Sequence, residues 1–193
     1  MFRNRIPEKG EVVRGGLSRE EQEVLLWIAR QTVEQYVQER TMPEMEVDSP
    51  ALNQTGASFV TLKKDGQLRG CIGHIIARIP LYQCVQEMAV AACSQDRRFP
   101  PVMPEELSHL EYEVSVLTPL EEVKDISEIE VGRDGLYIRK GMRSGLLLPQ
   151  VATEQGWNRN GFLIHTCLKA GLPPDAWKRG AELYRFQAQV FSD

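Results

Sequence analysis

A tight-turn signal between two apolar runs constrains the fold more than any other feature of this chain. Asp65-Gly66 separates the run Phe59-Val60-Thr61-Leu62-Lys63 from the run Leu68-Arg69-Gly70-Cys71-Ile72-Gly73. An Asp-Gly pair between two such runs is typical of a β-hairpin closed by a tight turn. The sequence therefore predicts an antiparallel hairpin whose second strand carries the hexapeptide 68–73.

The hexapeptide combines a thiol, a cation and two glycines. Because side chains alternate along a strand, its even-numbered residues are predicted to face the core, and Arg69, Cys71 and Gly73 the opposite side. A guanidinium beside a thiol favours the thiolate, which is the nucleophilic form. Cys71 is therefore the candidate catalytic residue, with Arg69, Gly70 and Gly73 as candidate substrate-binding positions. The alternative, that Cys71 is a small buried filler and Arg69 is solvated, stays open.

A loop rich in charge and proline supplies the next candidates. Asp96 and Arg98 precede Pro100-Pro101, which hold the chain outside regular structure. Loops of this kind often carry binding groups, and an arginine there could grip a carboxylate or phosphate. A purely structural pairing of Asp96 with a nearby arginine is the alternative. Gln150 follows Leu148-Pro149 at a predicted helix start, where it is a candidate polar contact to an anion.

The remaining pattern predicts helices and strands without regular alternation. A capping box at Ser18 and Glu21 predicts a helix that ends near Arg40. Further helices are predicted over 80–94, 150–155 and 161–170, and strands over 110–117, 136–138, 145–148 and 183–191. This order favours an α+β fold with a largely antiparallel sheet and flanking helices. The chain, 1–193, is expected to form a single domain or two lobes, with residues 1–16 as an extended N-terminal segment.

Composition limits the classes of function. The chain has 23 Lys plus Arg against 27 Asp plus Glu, a formal net charge of -4, which disfavours nucleic acid and anionic membranes as partners. Its N-terminal residues lack the apolar run of a signal peptide, so a cytoplasmic protein is expected. The four cysteines show no CxxC spacing, so no metal site is predicted, and the pattern identifies no cofactor.

The hexapeptide resembles the signature of the AMMECR-one domain family, also called AmmeMemoRadiSam system protein A. Other segments continue the resemblance in the expected order: Phe59-Val60-Thr61, Asp96 with Arg98-Phe99-Pro100-Pro101, Glu113 to Pro119, Gly135, Gly145 to Ala152, Gly156-Trp157, Lys169 to Pro174 and Tyr184-Arg185-Phe186. The resemblance covers nearly the whole chain from Ser58 onward.

The resemblance implies a compact α+β protein with a larger and a smaller lobe and the hexapeptide near a cleft. It also implies association with a Memo-like protein and a radical S-adenosylmethionine enzyme. It carries no established catalytic residue. Two hypotheses follow. The first is an enzyme or enzyme component that uses a reactive cysteine on a small anionic substrate. The second is a non-catalytic binding or adaptor module for a protein partner or a nucleotide.

Overall fold

The computed structural model describes residues 16–193 and divides them into two compact units. The first unit contains the described residues up to Leu117 together with Gln189–Asp193, and the second contains Thr118–Ala188. Each unit has its own sheet and its own apolar core. The predicted N-terminal segment 1–16 lies, apart from Gly16, outside the described residues.

In chain order the helices and strands are α1 (Arg19–Glu39), α2 (Pro50–Asn53), β1 (Thr55–Lys64), β2 (Gln67–Gly73), β3 (Ile79–Pro80), α3 (Leu81–Ser94), β4 (Leu110–Leu117), β5 (Glu121–Glu122), β6 (Gly135–Lys140), β7 (Arg143–Leu147), α4 (Pro149–Glu154), α5 (Arg159–Lys169), β8 (Glu182–Phe186) and β9 (Ala188–Ser192). Short 3-10 turns lie at Pro104–His109, Ile126–Glu128 and Ala176–Lys178.

The first unit is a sheet in the order β2-β1-β4-β9, with β3 paired to the start of β1. Helix α3 packs on β1 and on α1. Alternation along β1 and β4 places Val60, Leu62 and Val114 in the core between sheet and helices, where all three are fully buried. The predicted hairpin and the half-buried strand 110–117 are thus both present, and β2 is an edge strand.

Helix α1 begins where the capping box predicts. The Oγ of Ser18 accepts the N–H of Glu21, and the Glu21 carboxylate accepts the N–H of Ser18. These bonds satisfy two of the free donors of the first turn. The apolar stripe of the helix, including Leu25, Ile28 and Val33, is fully buried against the core.

The second unit is an antiparallel sheet in the order β5-β8-β6-β7. Its core contains Leu136 and Ile138 from β6 and Phe162 and Leu163 from α5, all fully buried. Helix α5 is capped by Asn158, whose Oδ1 accepts the N–H of Gly161 at 2.9 Å.

The predicted single strand 183–191 is wrong. The chain forms two strands, β8 and β9, which belong to different sheets. Gln187 lies between them, and its main-chain N–H and C=O bond the hydroxyl and the N–H of Thr118 rather than a sheet neighbour. The α+β class and the antiparallel sheets are confirmed. No helix within residues 16–193 is long and apolar enough to cross a membrane.

Candidate functional site around Cys71

The β1–β2 hairpin contains a shift of register. Cys71 lies opposite Thr61 and Gly70 opposite Leu62, but Leu68 lies opposite Lys63. Two steps along β2 therefore match one step along β1, and Arg69 is the additional residue of a β-bulge. The bulge interrupts the alternation of side chains within the hexapeptide.

This register corrects the predicted faces. Leu68 falls on the same side as Cys71 instead of the core side, and 42% of its surface is exposed. The Arg69 guanidinium turns to the carboxylate of Glu106, to which Nε donates at 3.0 Å and Nη2 at 2.9 Å. Its Nη1 donates to the carbonyl of Pro100 at 2.9 Å. The prediction that Arg69 shares a face with Cys71 is therefore wrong.

The Arg69–Glu106 pair fixes the loop that follows α3. Both side chains are largely buried, with 12% and 17% of their surfaces exposed, and Lys64 Nζ adds a contact to Glu106 at 3.2 Å. The hydrogen bonds from Arg69, with further bonds from Met103 N–H and Lys64, lower the pKa of Glu106 to about 2. Arg69 thus has a structural partner for its charge.

A second pair, Asp96 and Arg98, holds the main chain of Cys71. The Asp96 Oδ2 accepts the Cys71 N–H at 2.9 Å, and Arg98 Nη2 donates to the Cys71 carbonyl at 3.2 Å. Arg98 also binds both carboxylate oxygens of Asp96, through Nε at 2.9 Å and Nη2 at 2.6 Å. These bonds occupy main-chain groups that an edge strand otherwise leaves free.

The electrostatics of this pair follow from its geometry. The side chain of Asp96 is 5% exposed, and its hydrogen bonds from Arg98 hold its pKa well below the usual range against the opposing effect of burial. Asp96 in the first place, and the nearby Cys71 to a smaller extent, raise the pKa of Arg98. The cation beside Cys71 is therefore Arg98.

The residue Cys71 is only partly buried, and its sulfur has a polar neighbour across the hairpin. Cys71 is half-buried, and the Oγ1 of Thr61, directly across the hairpin, lies 3.3 Å from its Sγ and donates to it. By contrast Cys84, Cys93 and Cys167 are buried, and burial raises the pKa of each thiol, that of Cys93 to about 11. Cys71 is the accessible thiol of the chain.

The two glycines of the hexapeptide serve close packing. A Cβ at Gly70 would lie 2.2 Å from the carbonyl oxygen of Ala92, so this glycine lets β2 approach the backbone of α3. A Cβ at Gly73 would lie 2.2 Å from the ring of Phe59, its partner across the hairpin. Both spaces are filled by the protein itself.

Comparison with known proteins identifies the family of this chain. The AMMECR1 family matches residues 26–191. The chain belongs to this family. It is similar to a protein of Methanothermobacter thermautotrophicus, with 46% identity over 92% of this chain and 96% of the relative. A protein of Thermococcus kodakarensis is also 46% identical, over 89% of each chain. The crystal structure of an uncharacterised protein of Pyrococcus horikoshii matches with a TM-score of 0.87 and 41% identity, over 92% of this chain and 93% of that one.

Two further positions of this AMMECR1 chain are Gln150 and His74. Gln150 belongs to the second unit, in the first turn of α4, where its carbonyl accepts the hydroxyl of Thr153 at 2.8 Å. His74, directly after the hexapeptide, is exposed and lies 3.8 Å from the carboxylate of Glu87. No group of three or more His, Cys, Asp or Glu side chains suited to a metal ion occurs in the described part of the chain.

The structure adds two residues that the sequence reasoning missed. Counting pairs back from the turn would have placed Val60 opposite Cys71, because the bulge at Arg69 lies between the turn and this pair and shifts the partner to Thr61. Glu106 carried no signal, since it lies 37 residues from Arg69 in an acidic 3-10 turn. Of the predicted positions, the structure brings Cys71, Asp96 and Arg98 together.

Proposed function

We propose that this AMMECR1 protein is an enzyme or enzyme component in which the Cys71 thiol acts on a small anionic substrate held by Arg98. The observation that carries the proposal is the placement of the half-buried residue Cys71, whose sulfur lies beside a hydroxyl donor, on a strand whose main chain is bonded to an arginine. A nucleophile needs a fixed position and a nearby positive charge, and this arrangement supplies both.

Arg98 has capacity for a ligand beyond its pairing with Asp96. Its Nε and Nη2 are engaged by Asp96 and by the Cys71 carbonyl, while Nη1 makes no hydrogen bond to another described residue. The side chain is 54% exposed. An anionic group could bind Nη1 without breaking the existing pair, because a guanidinium carries donors on separate edges.

The setting of the activity is part of the proposal. The resemblance of the hexapeptide to the AmmeMemoRadiSam signature is the ground on which we propose a role alongside a Memo-like protein and a radical S-adenosylmethionine enzyme, and we propose the cytoplasm as its location. In that arrangement the chain would supply the thiol and the anion-binding guanidinium, and its partners the remaining chemistry.

The test compares alkylation of Cys71 by iodoacetate, an anion, and by iodoacetamide, its neutral analogue. Charge attraction of about 1 kcal/mol would raise the iodoacetate-to-iodoacetamide rate ratio about fivefold over that of N-acetylcysteine amide. We expect Arg98→Gln to return the ratio to the free-thiol value and Arg98→Lys to keep part of it. Arg97→Gln is the matched control, because Arg97 is an exposed cation one position away.

Two results would overturn the proposal. One is a Cys71 that remains unmodified in the folded protein while the same reagents modify it after unfolding. The other is a rate ratio that stays the same in Arg98→Gln and in the wild-type chain. Peptide mapping by mass spectrometry assigns the modified cysteine in each case.

A non-catalytic binding or adaptor module is the second candidate. It is favoured by the structural use of Arg69, Gly70 and Gly73, which hold a loop, a helix and a ring in place rather than a ligand. Full activity of Cys71→Ser in a reaction reconstituted with the two partner proteins would support this module and exclude nucleophilic catalysis. Loss of activity with retained binding of the partners would support the enzyme.

A further inference from the structure

A groove lies on the first unit, away from Cys71, between the outer face of α1 and the segment 41–49. Its volume is about 270 Å³, and its lining includes Trp27, Gln31, Glu34, Glu39, Glu44 and Met45. The α1 residues of this lining recur at helical spacing and form one stripe along the helix. The volume suits a long side chain together with the main chain that carries it.

Trp27 forms the apolar part of the groove and is unusually exposed. It shows 54% of its surface, and its indole N–H has no hydrogen-bond partner within residues 16–193. Tryptophan is mostly buried in single chains and is enriched among the residues that dominate binding energy at interfaces. The position of Trp27 therefore indicates a surface that another molecule covers.

The groove and the segment beside it are acidic. Residues 31–49 contain five acids, Glu34, Glu39, Glu44, Glu46 and Asp48, against the single base Arg40. Three of the acids line the groove, and no Lys or Arg does.

The wall opposite α1 is held in place by the fold. Gln86 of α3 donates to the carbonyl of Pro43 at 3.0 Å, and Gln35 of α1 donates to the hydroxyl of Thr41 at 3.0 Å. Met45 and Val47 pack against the core of the first unit. The groove is thus preformed, which lowers the entropic cost of binding.

We propose that this groove binds an extended, Arg- or Lys-bearing segment of a partner protein. A guanidinium or ammonium group of the segment lies over the Trp27 ring, and Glu34 and Glu44 receive its charge. Anionic membranes and nucleic acids are repelled by the same carboxylates. A second copy of this face would meet like charge. The surface goes beyond the proposed reaction at Cys71 and does not depend on it.

The test measures fluorescence anisotropy of a labelled peptide of alternating Leu and Arg against the full chain, with a Leu–Glu peptide as reference. We expect salt-dependent binding of the Arg peptide alone. Trp27→Ala and the pair Glu34→Gln with Glu44→Gln should each weaken binding about tenfold or more. The control pair Glu105→Gln with Glu154→Gln removes two exposed charges elsewhere and should stay within about twofold.

Indole signals in a ¹H–¹⁵N spectrum provide a second readout. The Arg peptide should shift the Trp27 signal, which Trp27→Ala identifies, and leave those of Trp157 and Trp177 in place. Equal binding of the Leu–Glu peptide or undiminished binding by Trp27→Ala would overturn the proposal. So would free arginine amide binding as tightly as the peptide, or a Trp27-dependent dimer in sedimentation, since each assigns the groove another occupant.

Discussion

The buried carboxylate of Asp96 accepts the main-chain N–H of Cys71 at 2.9 Å, although the two residues are 25 positions apart. The bond joins the edge strand β2 to the loop after α3, and this loop is not paired with the sheet as a strand. Arg98 completes the connection by donating to the carbonyl of the same residue. The position of the Cys71 sulfur therefore depends on the loop after α3 as much as on the hairpin.

Replacing Asp96 by Asn should loosen this connection. The amide keeps one acceptor for the Cys71 N–H but loses the paired charge opposite Arg98, so we expect a loss of about 2 kcal/mol in the free energy of unfolding. Urea denaturation measures the loss. Asp48→Asn removes an exposed carboxylate and should change stability by less than about 0.5 kcal/mol. Equal stabilities of the two variants would show that the Asp96–Arg98 pair contributes nothing.

The Arg69–Glu106 pair should contribute to the free energy of unfolding, and this contribution should be lost in acid. The pKa of Glu106 is lowered to about 2 in the folded chain, against about 4.3 in an unfolded chain. The stabilisation is therefore complete above the unfolded value and is lost as pH falls from about 4.3 to about 2.

Glu106→Gln tests this pH dependence by thermal or urea unfolding between neutral pH and pH 2. At neutral pH we expect it to cost about 2 to 3 kcal/mol, and the difference from wild type should shrink through the acidic window. Glu105→Gln, on the exposed neighbouring residue, should leave the profile unchanged. A difference in unfolding free energy between Glu106→Gln and wild type that stays constant with pH would contradict the lowered pKa of Glu106.

Gly70→Ala should destabilise the chain through packing alone. The new methyl group would lie 2.2 Å from the carbonyl oxygen of Ala92, and helix backbone moves only with difficulty. We expect a cost of about 1 to 3 kcal/mol, typical of overpacking, measured by chemical denaturation. Gly16→Ala is the control, because a Cβ there meets nothing nearer than 3.7 Å. A neutral Gly70→Ala would mean that β2 does not approach α3 so closely.

A thiol count should separate Cys71 from the other cysteines. At pH 8 the native chain should react with one equivalent of dithionitrobenzoate quickly, and the unfolded chain with four, since Cys84, Cys93 and Cys167 are at most 2% exposed. In Cys71→Ser the fast equivalent should disappear. Fast reaction of a second thiol in the native chain would contradict the burial of that side chain.

Local signals in the sequence predicted the local structure. The capping box located the start of α1, and the alternating run 110–117 located β4, because both patterns concern neighbours along the chain. The tail was different. Its alternation of apolar and polar residues continues without a break from β8 into β9, and the interruption at Gln187 comes from hydrogen bonds with Thr118, 69 residues away.

The sequence predicted the local parts of the candidate site but not the contacts between them. The hairpin pattern placed Cys71 on a strand, and the prolines placed Asp96 and Arg98 in a loop, but no local pattern joined the two. The sequence did not predict the bulge at Arg69. The bulge turns Arg69 away from the face of Cys71, so that the cation beside Cys71 is Arg98 and not Arg69. At the bulge the Arg69 guanidinium bonds to the distant Glu106 and to the carbonyls of Pro100 and Pro101, partners that no local pattern indicates.

The extra residue in β2 also bears on protein engineering. Grafting the hexapeptide onto a regular hairpin would transfer its sequence but not its geometry. Without the bulge, Arg69 would lie on the same face as the thiol and would lose its ion pair with Glu106. To keep the geometry, the graft must include β2 with its bulge, the loop after α3 and the 3-10 turn that carries Glu106.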